Sequence, residues 1–107
     1  MAEIQEKINK IQLVEQNIQA IAMQKQQVQT QLFEIESAIK ELEGVTDSFK
    51  IIANIMIKVP KEKIKKELEE KKEVLNLRIT TLEKQEKQLK ETIRELQKEV
   101  LKKTEKK

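Results

Sequence analysis

The residues that usually carry enzyme chemistry are nearly missing from this chain. Its 107 residues include no His and no Cys, which removes the common general base, the thiolate nucleophile and the main zinc ligands. With a single Gly there is no glycine-rich phosphate loop. Carboxylate pairs such as Glu69-Glu70 fall in a Lys/Glu-rich run that reads as solvated helix face, with no pocket to shift their pKa values. A non-enzymatic role, with no cofactor and no metal, is expected. The chemistry left to such a chain is association, carried by apolar side chains that its own fold leaves uncovered.

Two sets of residues offer that contact. The first is the central run, where Phe49, Ile51, Ala53, Ile55, Ile57 and Val59 fill the odd positions and Lys50, Ile52, Asn54, Met56 and Lys58 the even ones. Alternation with β-branched residues predicts strand, and the interruption at Ala53-Asn54 predicts a hairpin of two short strands. A two-residue loop at Ala53-Asn54 would set Ile51 against Met56 and Phe49 against Lys58, mixing the faces. A three-residue loop over 52–54 pairs Ile51 with Ile55 and Phe49 with Ile57, keeps one face wholly apolar, and places Asn54 in the left-handed position such loops need. The three-residue loop is the expected form. A lone hairpin is marginally stable and its edges invite pairing. Phe49, Ile51, Ile52, Ile55, Met56, Ile57 and Val59 are therefore candidate oligomerisation residues.

Two long helices must position this hairpin. Positions 4, 11, 18, 25, 32 and 39 read Ile, Ile, Ile, Lys, Leu and Ile, and positions 7, 14, 21, 28, 35 and 42 read Lys, Val, Ile, Val, Ile and Leu. Ten of these twelve are apolar, which defines a coiled-coil seam. The seam passes straight through the Gln-rich stretch around Gln24–Gln31, which reads as polar helix surface rather than an aggregating tract. Gly44 is expected to end the helix at C′, and residues 45–48 to form a short polar connection. Pro60 suits the first turn of a second helix. There Leu68, Leu75, Leu82, Leu89 and Leu96 form one column beside Lys65, Lys72, Ile79, Glu86, Ile93 and Val100.

The expected fold is mainly α: a long antiparallel two-helix coiled coil with a central β-hairpin, in one domain over 1–107. Its helix 1 covers 1–43, its hairpin 49–59 and its helix 2 60–105. Antiparallel seams joined by a tight hairpin pair Ile11 with Leu96, Ile18 with Leu89, Leu32 with Leu75 and Ile39 with Leu68. The residue numbers of each pair add to 107, so the register is centred where the hairpin turns. Lys25 and Glu86 interrupt the seam about one turn apart and are expected to pair across it.

The second association surface is the end of the coil where both termini meet. Ile4, Ile8 and Ile11 there face Ile93, Leu96, Val100 and Leu101. Helix ends fray, and exposed apolar patches usually mean binding. Ile8 and Leu101 fall beside the seam, while Ile4, Ile11 and Val100 also read as its last layers. Lys102, Lys103, Lys106 and Lys107 read as a solubilising end.

Composition agrees with long solvent-washed helices, with 38% charged and 2% aromatic residues. Residues 1–48 carry a net charge of −4 and residues 49–107 carry +7, as suits two helices packed side by side. The second half is basic, but its lysines are interleaved with Glu and no aromatic stacking platform accompanies them, so nucleic acid is not the expected partner. No run approaches the ~20 apolar residues of a membrane span, no signal-peptide pattern is present, and Cys is missing; a cytoplasmic location is expected.

The run Phe49-Lys50-Ile51-Ile52-Ala53-Asn54-Ile55-Met56-Ile57-Lys58-Val59, leading into Pro60-Lys61-Glu62-Lys63 between two heptad helices, resembles the beta-type subunit of prefoldin. The resemblance covers nearly the whole chain, most of it generic coiled coil. Its specific part is the aromatic-Lys pair, the two residues before the turn and the apolar strand ending in Lys58. The chain departs from the family at Ala53, where Gly is usual. One hairpin rather than two points to the beta type.

The resemblance implies an ATP-independent chaperone subunit. Two alpha-type and four beta-type chains would form a hexamer on a β-barrel platform built from the hairpins. Non-native polypeptide clients would be held at the coil tips, by Ile4, Ile8, Ile11, Ile93, Leu96, Val100 and Leu101, and passed to a group II chaperonin. The simple layout and the Lys/Glu-rich surface look archaeal. A structural coiled-coil scaffold or spacer without a client is the rival reading, and it leaves the apolar hairpin unexplained. A nucleic-acid-binding coil would instead bind in a strongly salt-dependent way.

Overall fold

Apolar residues at heptad spacing draw the chain into two helices, α1 (Ala2–Leu42) and α2 (Lys61–Glu105), on either side of strands β1 (Phe49–Ile52) and β2 (Ile55–Lys58). The computed structural model describes the backbone of residues 2–105 and the side chains of residues 2–102. Met1, the first residue expected in helix 1, and the tail lysines Lys106 and Lys107 lie outside the described residues, as does the side chain of Lys103. Two compact units are distinguished: one is Gln27–Ile79, and the other combines the stretch up to Gln26 with the stretch from Thr80 onward.

In the unit built from the chain's two ends, Lys7 pairs with Glu99 at 2.8 Å and Lys25 with Glu83 at 3.7 Å. The partner's number falls as the α1 number rises, so the two helix segments run antiparallel. These pairs add to 106 and 108, which places them in the register expected from the seam. Val14 and Leu82 are its buried residues among those described. In the unit 27–79, Glu36 meets Lys72 at 3.6 Å, again adding to 108, and Val28 and Leu32 are buried, Val28 to 3% exposure.

Every seam position of α1 from Ile4 to Leu42, and of α2 from Lys65 to Val100, is buried or half-buried. Lys7 and Lys25 occupy seam positions by laying their stems along the apolar surface and sending the ammonium out to an exposed carboxylate. The Lys25–Glu86 pair expected from sequence does not form: Lys25 reaches Glu83, and Glu86 instead accepts from Lys90, one turn on, at 3.4 Å. A carboxylate inside the seam lies under the lysine, whereas one on the rim lies where a snorkelling ammonium emerges.

The end of α1 also differs from expectation. The N–H groups of Glu43, Gly44 and Val45 donate to the carbonyls of Lys40, Glu41 and Leu42 at 3.2, 3.2 and 3.5 Å. These three-residue closures tighten the last turn and satisfy its carbonyls. Gly44 therefore has no need of the left-handed C′ conformation, and its φ is not positive. Pro60 precedes α2 rather than opening it, and its carbonyl accepts from the N–H groups of Lys63 and Ile64.

The hairpin corrects the loop expected from sequence. Phe49 pairs with Lys58, Lys50 with Ile57, Ile51 with Met56 and Ile52 with Ile55, leaving a two-residue turn at Ala53-Asn54. Both turn residues have positive φ, 49° and 67°. That is the type I′ conformation, whose twist matches the flanking strands. Twist compatibility thus prevails over the wish for one wholly apolar face. At the open end of the hairpin, Ser48 is buried; its Oγ donates to the Val59 carbonyl at 2.6 Å, and the Val59 N–H donates to the Ser48 carbonyl at 3.0 Å. The connection read as merely polar is a latch that extends the ladder by one pair, reinforced by Lys58–Asp47 at 3.2 Å.

One ion pair ties the hairpin to α2. Lys50 Nζ donates to Glu67 Oε2 at 2.8 Å. That hydrogen bond, with the charges of Lys50, Lys63 and Lys71, holds the Glu67 carboxyl below its ordinary value of 4.5 against the opposing effect of desolvation. The pair is partly exposed, so it acts as a modest, screened tether.

Two consequences can be measured. Ala53 adopts a conformation that costs an L-residue roughly 1–2 kcal/mol and Gly almost nothing, and part of that gain is offset by the greater entropy Gly loses on folding. Ala53→Gly is therefore expected to stabilise the protein by about 0.5–1 kcal/mol, read as a higher urea midpoint at unchanged slope; a lower midpoint would contradict the strain. Because the folded Glu67 pKa is depressed, its contribution is full above 4.5 and is lost as pH falls through the lower folded value. Between about pH 5 and pH 3, Glu67→Gln should lose less melting temperature than the parent, and equal losses would show that the tether carries no stability.

Candidate binding surfaces

The two-residue turn decides which side chains share a face of the hairpin. Paired residues point the same way, so Phe49, Ile51, Met56 and Lys58 form one face and Lys50, Ile52, Ile55 and Ile57 the other. Each face carries three apolar side chains and one lysine. Both lysines are drawn aside, Lys50 to Glu67 and Lys58 to Asp47. All six apolar side chains stand exposed, Ile51 at 68%, while Val59 is half-buried beside Ser48. Strands apolar on both sides belong in sheets covered on both sides; among the described residues nothing covers these.

The residues at the ends of the coil lie together in the other unit, but they are less open than their sequence suggests. Ile4, Ile8, Ile11, Ile93, Leu96 and Val100 are half-buried, and Leu101 alone of the seven is exposed, at 60%. Ile8, expected beside the seam, is partly covered by it. A shallow hollow there is lined by Leu96 amid Glu3, Glu6, Lys7, Lys10 and Glu99. The apolar layers are thus rimmed by charges of both signs.

Sequence reasoning missed a third group. Phe33, Val74 and Leu77 are apolar, lie outside the seam and are exposed, Phe33 at 71%. Among the described residues, ten large apolar side chains stand exposed in the unit 27–79 and three, Leu13, Met23 and Leu101, in the other unit. Val74 opens onto a groove of about 650 Å³ lined also by Gln31, Glu34, Ile35, Glu70, Lys71 and Leu75, with the Lys50–Glu67 pair on its wall. The signal was available: an apolar residue on the outer face of a heptad helix needs a reason other than the seam.

Among the described residues no group of acidic, His or Cys side chains is placed to hold a metal ion. No helix among them is long and apolar enough to cross a membrane.

Comparison with known proteins gives one consistent result. A family model described as prefoldin subunit matches residues 5–107. Prefoldin subunit beta of Archaeoglobus fulgidus is 39% identical over 98 residues, covering 89% of this chain and 84% of the relative. Prefoldin subunit beta of Thermoplasma volcanium is 40% identical over 98 residues, covering 88% and 79%. The crystal structure of the prefoldin beta subunit from Thermococcus strain KS-1 superposes with a TM-score of 0.89 at 32% identity, covering 94% of this chain and 90% of that one. Two long helices about a single two-stranded hairpin, matched in fold and in sequence along nearly the full length, place this chain in the prefoldin family of chaperones, among its beta-type subunits.

Proposed function

We propose that this chain is a holdase subunit that works without ATP, assembled through its hairpin with alpha-type prefoldin subunits, two alpha to four beta. It holds non-native polypeptide at its coil tips and passes it to a group II chaperonin. The observation that carries this reading is the hairpin: six exposed apolar side chains on both faces of an eight-residue sheet. A sheet of that size is marginal alone, and joining hairpins covers both faces and pairs its edges. Phe49, Ile51, Ile52, Ile55, Met56, Ile57 and Val59 are the assembly residues.

Client contact falls to Ile4, Ile8, Ile11, Ile93, Leu96, Val100 and Leu101. Each tip presents little open apolar surface at rest, so one subunit binds weakly and releases quickly. Several tips around one cavity raise the effective concentration and supply the avidity. Adaptable helix ends suit varied clients better than a shaped pocket.

A structural spacer is the second reading, and the half-burial of six of the seven tip residues favours it. The test is light scattering from a denatured client diluted into the assembled hetero-oligomer, comparing full-length chain with one lacking residues 1–11 and 93–107. Suppression of aggregation by the full-length assembly, lost in a truncated form that still assembles, is the expected outcome. Equal behaviour of the two forms would remove the tips from client binding, and no suppression by either would leave the spacer.

A further inference from the structure

The hairpin is too small to be a whole interface. Its strands hold four residues each, whereas a specific interface buries about 800 Å² per partner and takes roughly 20–30 residues a side. The missing surface must be continuous with the sheet. The groove holding Val74 meets that condition, because Lys50 belongs both to β1 and to the groove wall, where it is fixed by Glu67 at 2.8 Å. The groove also carries an apolar strip, Ile35, Val74 and Leu75, in which Val74 is 63% exposed at a helix position the seam does not use. Unlike a singly exposed apolar residue, Val74 shares its groove with Ile35, Leu75 and the β1 residue Lys50, so it adds apolar surface beside the exposed faces of the hairpin.

We infer that the groove beside β1 is the second half of the assembly interface, occupied by apolar side chains of the prefoldin subunit that pairs with the hairpin. This rests on the reading of the hairpin as the assembly element and extends it to α1 and α2. Pairing of strands alone fixes two partners through a few backbone bonds and leaves them free to rock about the sheet edge. A side chain seated against Val74 gives a contact away from that edge, which sets the angle at which the partner's helices leave the platform. The Lys50–Glu67 pair tethers the strand to the groove wall.

The test measures assembly of the full chain with an alpha-type prefoldin subunit by multi-angle light scattering and by titration, in three variants. Val74→Asp places a charge in the groove, Ile51→Lys places one on the hairpin, and Leu13→Asp places one at an exposed apolar position in the other unit. Circular dichroism confirms that helix content is retained in each. The expected result is loss of assembly in I51K, at least tenfold weaker assembly in V74D, and no change in L13D. Assembly lost in I51K but intact in V74D overturns the groove while the hairpin reading stands. Assembly intact in both overturns the two together, and equal weakening in V74D and L13D shows a general effect of charge and overturns the groove.

Discussion

A pair of helices can bury only the side chains that face each other, and the organisation of this molecule follows from that limit. Here the seam positions and their immediate neighbours take nearly all the cover, and even the best buried apolar residues, Val28 at 3% and Leu82 at 5%, are not wholly sealed. A seam this thin cannot absorb stray polar or apolar groups. Lysines that fall in it must extend out to a rim carboxylate, as Lys7 and Lys25 do. Apolar residues that fall outside it stay in water until something else covers them. The same limit separates two kinds of apolar residue, those used up by the fold and those left over for association.

The seam was legible in the sequence because heptad spacing is a statement about geometry that nothing else in the chain opposes. The antiparallel register was legible too, since the numbers of Lys7–Glu99, Lys25–Glu83 and Glu36–Lys72 fall within one of the sum expected from a centred turn. What could not be read was settled by local backbone conformation and side-chain reach. Side-chain parity argued for a three-residue loop, yet strand twist imposed type I′ at Ala53-Asn54 despite the cost of a positive φ at Ala53. Ser48 looks like any loop serine until its hydroxyl is seen closing on Val59. The partner of Lys25 depended on where an ammonium emerges from a seam, which spacing alone does not specify. Val74 and Phe33 break the heptad, and spacing assigns no partner to an apolar residue on the outer face of the helix.

The hairpin shows why the corrected turn matters beyond bookkeeping of register. With the three-residue loop one face would be wholly apolar and the other would hold only Met56 among its lysines, and such a sheet could rest against a single surface with water on its far side. With the two-residue turn each face is three parts apolar, and each lysine is led away to a carboxylate on a neighbouring segment. Such a sheet is satisfied only when both faces and both edges are covered at once. Joining several hairpins into a closed array does this, because closure removes edges while the array's interior and flanks take the two faces. On the proposed reading, the turn, through its twist, suits the hairpin to assembly.

The coil ends pose the opposite problem. A surface meant to hold unfolded chains must be apolar when occupied yet must not aggregate when empty. Six of the seven tip residues are half-covered by seam packing, and the hollow beside Leu96 is rimmed by Glu3, Glu6, Lys7, Lys10 and Glu99. On the proposed reading a client gains full access to these side chains only by loosening the last layers of the seam. Terminal helix turns lie at the low end of local stability, so that opening is inexpensive, but it subtracts from the affinity of each tip. Weak single contacts follow directly from tips that protect themselves at rest. On the same reading retention then depends on several tips acting together, so assembly becomes the condition for binding.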